Sequence, residues 1–351
     1  MAGTDSGADF EAAGEADLIA ALGSAAYDYF AGGAGDEVTL RANVTSWLLP
    51  ELLPRVLVDV GTRDSGVTVL GRPWRHPIAV APMAYQRHAH PDGERAMAEA
   101  AGSTGSTFVL SSQTTTSPRV VAEAAPGVRR WFQLYVFRDR QVSLDLVAEA
   151  REAGYEALMI TVDFPVGGWR DRDRASGFAV EHPVAVNPGG SPLTTAELFA
   201  QHDPTLTWDD VADFAEAAGM PVVLKGILRT DDARRAVDAG AAGVVVSNHG
   251  GRQLDTVPTP ASVLPGVVDA VEGKVDVLVD GGIRRGWDVA KALALGASAV
   301  LVGRPVLWGL ARGGSAGAEA VLDQLIAEFD NALALLGCPC ATDLDRSYLR
   351  L

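Results

Sequence analysis

The densest chemistry in the chain lies in nine residues, Ser247 to Asp255, which read S-N-H-G-G-R-Q-L-D directly after the apolar run Gly243-Val244-Val245-Val246. His249 follows what reads as a buried strand, and an imidazole there can take up a proton near neutral pH. Three residues on, Arg252 offers a planar fork of donors suited to a carboxylate or a phosphate. Gly250 and Gly251 are expected to let a ligand approach the backbone. A second group, Gly281-Gly282 and Gly303-Arg304, combines glycine amides with a guanidinium, as a phosphate site does, and Lys225 adds a cation. Taken alone, His-Gly-Gly reads as a strand ending in a glycine turn with a satisfied histidine, so the surrounding elements must decide.

Those elements repeat. Short apolar runs at Pro77–Ala81, Thr107–Leu110, Trp131–Val136, Ala157–Val162, Pro221–Leu224, Gly243–Val246, Val275–Val279 and Ala299–Val302 alternate with Ala/Glu/Arg-rich stretches such as Gly93–Gly102, Asp139–Gly154, Thr230–Gly240 and Gly286–Gly296. Strands alternating with helical segments predict parallel βαβ units, and about eight of them close a (β/α)8 TIM barrel. No G-x-G-x-x-G opens a first helix, which disfavours an open dinucleotide-binding sheet. Polar residues follow nearly every run at its C-terminal end, the face on which barrels place their chemistry.

Ahead of the barrel (76–337), a tail (1–16) and an N-terminal region (17–75) are expected within one domain spanning 1–351. The N-terminal region reads as helices over Asp17–Ala31 and Asp36–Trp47, then a hairpin of Val56–Val60 with Val67–Leu70. The connection after the fourth run, 164–207, is far longer than its neighbours. It reads as a lid whose middle, Pro183–Pro192, is a floppy insertion.

Composition narrows the partners. Lys+Arg 29 against Asp+Glu 45 gives a net charge of −16 with no basic block, which disfavours nucleic acid and anionic membranes and leaves any anion to a local basic site. Cys338 and Cys340 stand as C-P-C without a His cluster, so no metal site is expected. The opening residues carry neither a basic n-region nor an apolar h-region, and no apolar run approaches ~18 residues, so the expected address is cytoplasmic.

With these motifs in order, the chain from about Tyr27 to Gly337 resembles the FMN-dependent α-hydroxy acid oxidase and dehydrogenase family of glycolate, lactate and mandelate enzymes. S-N-H-G-G-R-Q-L-D is supported by Y-D-Y-F, A-P-M-A-Y-Q, W-F-Q-L-Y, T-V-D, L-K-G, D-G-G-I-R and G-R-P. The resemblance implies FMN at the barrel mouth. Pro82, Met83, Ala84, Ser111, Gln133, Thr161, Lys225 and Ser247 would lie around its ring and ribityl chain. Asp280, Gly281, Gly282, Arg284, Gly303 and Arg304 would grip its phosphate.

The resemblance further implies His249 as base, Asp163 as its partner, Lys225 as a cation beside the flavin, and Tyr135 bonded to the substrate oxygen. Tyr29, Arg170 and Arg252 would clamp the substrate carboxylate. On residue type alone, Tyr29 reads as a core aromatic, Asp163 as a turn cap and Arg170 as part of a solvated Arg–Asp run. Where the family has two adjacent arginines this chain has Trp169-Arg170, with Arg170 in the catalytic register. His76 is expected to be structural and His88, His90, His182 and His202 to lie in surface or loop positions, none of the five being catalytic.

Two departures bear on the substrate. Glycolate-type relatives carry bulky side chains where this chain has Gly167 and Gln113, which predicts room for a side chain larger than methyl. A-P-M-A-Y-Q-R, with Tyr85, is most similar to the 4-hydroxymandelate oxidases of antibiotic pathways. The expected reaction is oxidation of mandelate or 4-hydroxymandelate, with O2 as acceptor, suggested by Ala84, and H2O2 as product. Relatives assemble as homo-oligomers, tetramers or larger. The alternatives are a lactate or glycolate oxidase, or another FMN barrel such as an isopentenyl diphosphate isomerase.

Overall fold

The structure, a computed structural model, describes residues 15–350, so most of the expected 1–16 tail lies outside the described residues. Eight parallel strands close into a barrel: β1 (Ile78–Val80), β2 (Thr107–Ser111), β3 (Arg130–Leu134), β4 (Leu158–Thr161), β5 (Val222–Ile227), β6 (Gly243–Val246), β7 (Asp276–Val279) and β8 (Ala299–Val302). Sequential strands pair throughout, and β8 closes on β1 through Val300↔Ile78, Leu301↔Ala79 and Val302↔Val80. The apolar runs become strands because both their faces are buried, one against helices and the other against the barrel interior. Helix starts are written locally: Ser117 and Asp139 cap the helices that follow β2 and β3, each accepting a backbone N–H.

The interior is filled by Ala79, Val109, Trp131, Met159, Val223, Val245, Leu278, Ala299 and Leu301. Strand side chains alternate, so the residue two positions after each interior plug points inward again, one layer nearer the C-terminal mouth. Those residues are Ala81, Ser111, Gln133, Thr161, Lys225, Ser247, Asp280 and Gly303, with Leu301 itself two positions after Ala299. The opposite end is sealed by a hairpin, Val67–Val69 with Arg72–Trp74, whose Trp74 meets Trp131 edge to face at 5.4 Å.

That hairpin corrects the expected one. Val56–Val60 forms no strand: Leu57 is fully exposed in a left-handed backbone conformation, and Arg55 N–H is drawn to the Leu336 carbonyl. The Asp17–Ala31 helix is two helices, α1 (Glu15–Leu22) and α2 (Ser24–Ala31), divided at Gly23, and α3 covers Val38–Thr45. The 164–207 connection is built rather than floppy. It holds α4 (Asp171–Ser176), a two-stranded ribbon of Ala179–Val180 with Leu193–Thr194, and α5 (Thr195–Phe199), opened by a Thr194/Glu197 capping box. A Val184–Asn187 bridge orders the stretch read as an insertion.

Candidate active site

The mouth of the barrel opens into a cleft of about 1030 Å³, solvent at its entrance included. Its floor is built on two short chains of linked polar side chains. Ser111 Oγ donates to Gln133 Oε1 (2.8 Å), Gln133 Nε2 to Thr161 Oγ1 (2.9 Å) and Lys225 Nζ to Ser247 Oγ (3.0 Å), while Lys225 also pairs with Asp280 at 3.1 Å. Burial alone would push the Lys225 pKa down, but Asp280 and Asp163 outweigh it and hold it up.

One step above the floor stand Gln113, Tyr135, Asp163 and His249. Tyr135 lies just past β3 rather than within it. His249 Nδ1 is 2.9 Å from Asp163 Oδ1, and Nε2 is 3.1 Å from the Tyr135 hydroxyl. The carboxylate fixes the proton on Nδ1, which leaves Nε2 bare to accept from Tyr135 or from a ligand. Burial, reinforced by the Lys225 charge, lowers the His249 pKa despite Asp163, so the imidazole is neutral and ready to take a proton. Burial works to raise the Asp163 pKa, but electrostatic coupling and the hydrogen bond to His249, together with the Lys225 charge, reverse this and hold it below the usual carboxylate range. His249 sits at φ 59°, a left-handed conformation costing a non-glycine residue about 1–3 kcal/mol and held by its surroundings.

Cations gather here despite the acidic chain. Arg170 is 3% exposed, which rules out a solvated Arg–Asp run. It donates Nε to the Arg252 carbonyl (2.9 Å) and Nη2 to Gln253 (3.3 Å). Burial and then the Arg252 charge pull its pKa down to about 10. Arg252 lies 5.0 Å over the Tyr29 ring and bonds the carbonyls of Tyr29 and Gly32. Arg304 donates to the carbonyls of Phe30, Gly250 and Gly32, three of its five N–H groups, and its pKa is depressed first by burial and then by Arg252 and Arg284. Such crowding of like charge favours bound anions.

Pro82, Met83, Ala84, Gly281, Gly282, Arg284, Gly303 and Arg304 line the same cleft, with Tyr29, Tyr85 and Gln113. Gly282 is required by close approach: at φ 86°, a Cβ there would lie 1.9 Å from the Asn43 carbonyl oxygen. Asp280 Oδ1 is buried without a partner among the described residues. A phosphate end rich in guanidinium and glycine amides, beside a polar floor long enough for a ring, fits FMN by its donor chemistry.

Several expectations change. A Cβ on Gly251 would lie 2.7 Å from Leu40 N, so this glycine admits α3 rather than a ligand, while Gly250 lines the cleft, where a Cβ would lie 3.1 Å from Arg304. Gly167 does not line the cleft, and it opens no space: a Cβ there would sit 2.4 Å from the Phe199 ring, which fills the volume instead. His202 is no surface residue. It is 2% exposed, stacked on Tyr135 at 4.9 Å and bonded to Gln113 at 2.7 Å.

Gln253 was also passed over. Its amide accepts from Gly168 N and Arg170 and donates to the carbonyls of Asp163 and Val166, tying the start of the long connection to the signature. A glutamine inside the signature was the available signal. Phe164 and Phe199, which wall the cleft, gave none. His76 is structural as expected, bonding the Thr104 carbonyl.

The chain is similar to known proteins over most of its length. The family model for FMN-dependent dehydrogenase matches residues 20–351. An L-lactate oxidase of a Nostoc species is 48% identical over 348 residues, covering 94% of each chain. Human 2-hydroxyacid oxidase 1 is 44% identical, covering 92% of this chain and 91% of its own. Among solved structures, mandelate oxidase with (S)-4-hydroxymandelic acid superposes with a TM-score of 0.87 at 43% identity, covering 96% of this chain and 98% of the other. Mandelate oxidase with (S)-2-phenylpropionate gives 0.85 at 44%, covering 96% and 97%.

Proposed function

The chain belongs to the FMN-dependent dehydrogenase family, and on that premise we propose that it oxidises an aryl (S)-2-hydroxy acid, mandelate or 4-hydroxymandelate, to the 2-oxo acid, with O2 as final acceptor and H2O2 as co-product. The observation that carries the reaction is the bare Nε2 of His249, backed by Asp163 at 2.9 Å and facing a cleft that Arg170 and Arg252 also line.

FMN, when bound, supplies the two-electron acceptor that the substrate carbon requires. Pro82, Met83, Ala84, Ser111, Gln133, Thr161, Lys225 and Ser247 hold its ring and ribityl chain. Asp280, Gly281, Gly282, Arg284, Gly303 and Arg304 hold its phosphate. Arg170 and Arg252, with Tyr29, clamp the substrate carboxylate, a pairing suited to planar bidentate contacts. His249 Nε2 then receives the proton, Asp163 stabilises the imidazolium, and Tyr135 hydrogen-bonds the substrate oxygen. Burial holds the Tyr135 pKa far above that of a free phenol, so its hydroxyl remains a donor.

The aryl choice is supported by the aromatic lining, Tyr29, Tyr85, Tyr135, Phe164 and Phe199, and by the likeness to mandelate oxidases. A short-chain reading keeps a specific argument: Phe199 fills the space vacated at Gly167, and the lactate oxidase relative is 48% identical. Oxygen-electrode turnover on (S)-mandelate, (S)-lactate and glycolate separates the two. A clear preference for mandelate is expected, and preference for glycolate sinks the aryl reading. Bleaching of the flavin by mandelate without oxygen, and recovery on admitting oxygen, tests the acceptor.

A further inference from the structure

A substrate held by its carboxylate at Arg170 and Arg252 and by its hydroxyl at His249 leaves its third substituent to the remaining wall: Tyr85, Gln113, Phe164 and Phe199. Within that wall Gln113 is the side chain with an amide, and its orientation is fixed from both sides. Tyr85 is wholly buried at φ 57°, its phenol pKa raised above 10 chiefly by burial, so its hydroxyl is a donor. It lies 2.9 Å from Gln113 Oε1. The Gln113 Nε2 therefore faces His202 Nε2 at 2.7 Å, and two N–H groups cannot face each other there. With the amide so oriented, His202 presents a bare Nε2 and carries its proton on Nδ1, an atom buried without a hydrogen-bond partner among the described residues. Burial, with the nearby His249, lowers its pKa to about 4, so the ring is neutral as this polarity demands. Its place is set by stacking on Tyr135 and by contact with Phe164 and Phe199.

We propose that His202 is a positioning residue for substrate selection: it locks the Gln113 amide so that the remaining amide hydrogen and oxygen lone pair face the substrate side chain. This rests on the 2-hydroxy acid reading and sharpens it. The preferred substrates carry a hydrogen-bonding group on that side chain, such as a ring hydroxyl. A site built to bond such a group rejects an analogue lacking it, because its own polar atoms are then left unpaired.

The test is the ratio of kcat/KM for (S)-4-hydroxymandelate to that for (S)-4-methylmandelate, substituents of similar size and unlike hydrogen bonding. The wild-type ratio is expected at about tenfold or more. His202→Phe keeps a ring over Tyr135 but removes the acceptor. It should bring the ratio near unity, with kcat on unsubstituted mandelate and the bound-flavin spectrum preserved. His202→Gln, whose amide oxygen can take the place of Nε2, should restore it. An unchanged ratio in His202→Phe overturns the proposal, as does a wild-type ratio near unity.

Imidazole 15N spectra of the wild-type holoenzyme test the same point without a variant: the Nδ1–H form of His202 is expected, and the Nε2–H form or the imidazolium overturns it. Turnover of lactate with none of the aryl acids overturns the aryl reading alone. His202 is then judged by the ratio of (S)-glycerate to (S)-2-hydroxybutyrate, and equal ratios in wild type and His202→Phe count against it.

Discussion

Ser111, Gln133, Thr161, Lys225, Ser247 and Asp280 stand on or just past barrel strands, while Arg170, Phe199 and His202 stand on the connection after β4. The first group forms a floor whose members are placed by the strand repeat and joined by hydrogen bonds and one ion pair. The second forms a wall held by aromatic contacts and by bonds to the signature, Gln253 above all. The difference separates two tasks. Strand-borne polar groups are placed by the barrel itself. Loop-borne rings and amides can be exchanged without disturbing the barrel, so substrate choice can change while the reaction stays.

The largest effects should come from the strand side. His249→Gln should lower kcat/KM by about 10²–10⁴ on every 2-hydroxy acid, leaving the ratios between substrates unchanged. If the ratios move, base and wall are not separate. Lys225→Met leaves the Asp280 carboxylate buried without its partner, and the protein should lose about 3–5 kcal/mol of stability in denaturant titration and bind FMN less tightly.

On the loop side, Gly167→Leu should drive the Phe199 ring into the cleft and reduce kcat/KM on mandelate about tenfold, with little change in FMN binding. Adding Phe199→Ala to the same chain should recover most of the loss, a coupling that a double-mutant cycle reads directly.

A last prediction concerns stability against pH. Burial lowers the pKa values of His76, His88 and His202 to about 4, from 6.5 in a free imidazole. Below 6.5 the unfolded chain takes up protons that the native state refuses. Stability is therefore lost as the pH falls from about 6.5 toward about 4, and the Tm should drop across that window. Replacing His202 should flatten part of the fall.

The barrel and its floor were legible because unbroken apolar runs and glycine punctuation mark strands buried on both faces, and a polar residue two steps past Val109, Trp131 or Val223 is a visible mark. Tyr29 and Arg170 became legible only through resemblance, since burial and convergence are properties of the folded chain. Phe199 and His202 were illegible. His202 lies 89 residues from Gln113, on a connection without periodicity that earlier turns into helix and ribbon. The signature glycines were legible as glycines, but Gly251 was misread in purpose, because the space it clears belongs to α3, from the far end of the chain.

That contact with the far end carries a consequence in time. Arg252 bonds the carbonyl of Tyr29 across 223 residues, Arg304 bonds that of Phe30 across 274, and Asn43 exchanges amide hydrogen bonds with Asn248 across 205. During synthesis the N-terminal helices emerge first, and although Tyr85, Arg172 and Phe178 can meet them earlier, their bonds to Asn248, Arg252 and Arg304 form only after β6 and the residues after β8 have left the ribosome. The anion site therefore comes into being in one late step, and cofactor capture belongs to the finished polypeptide rather than to any growing intermediate.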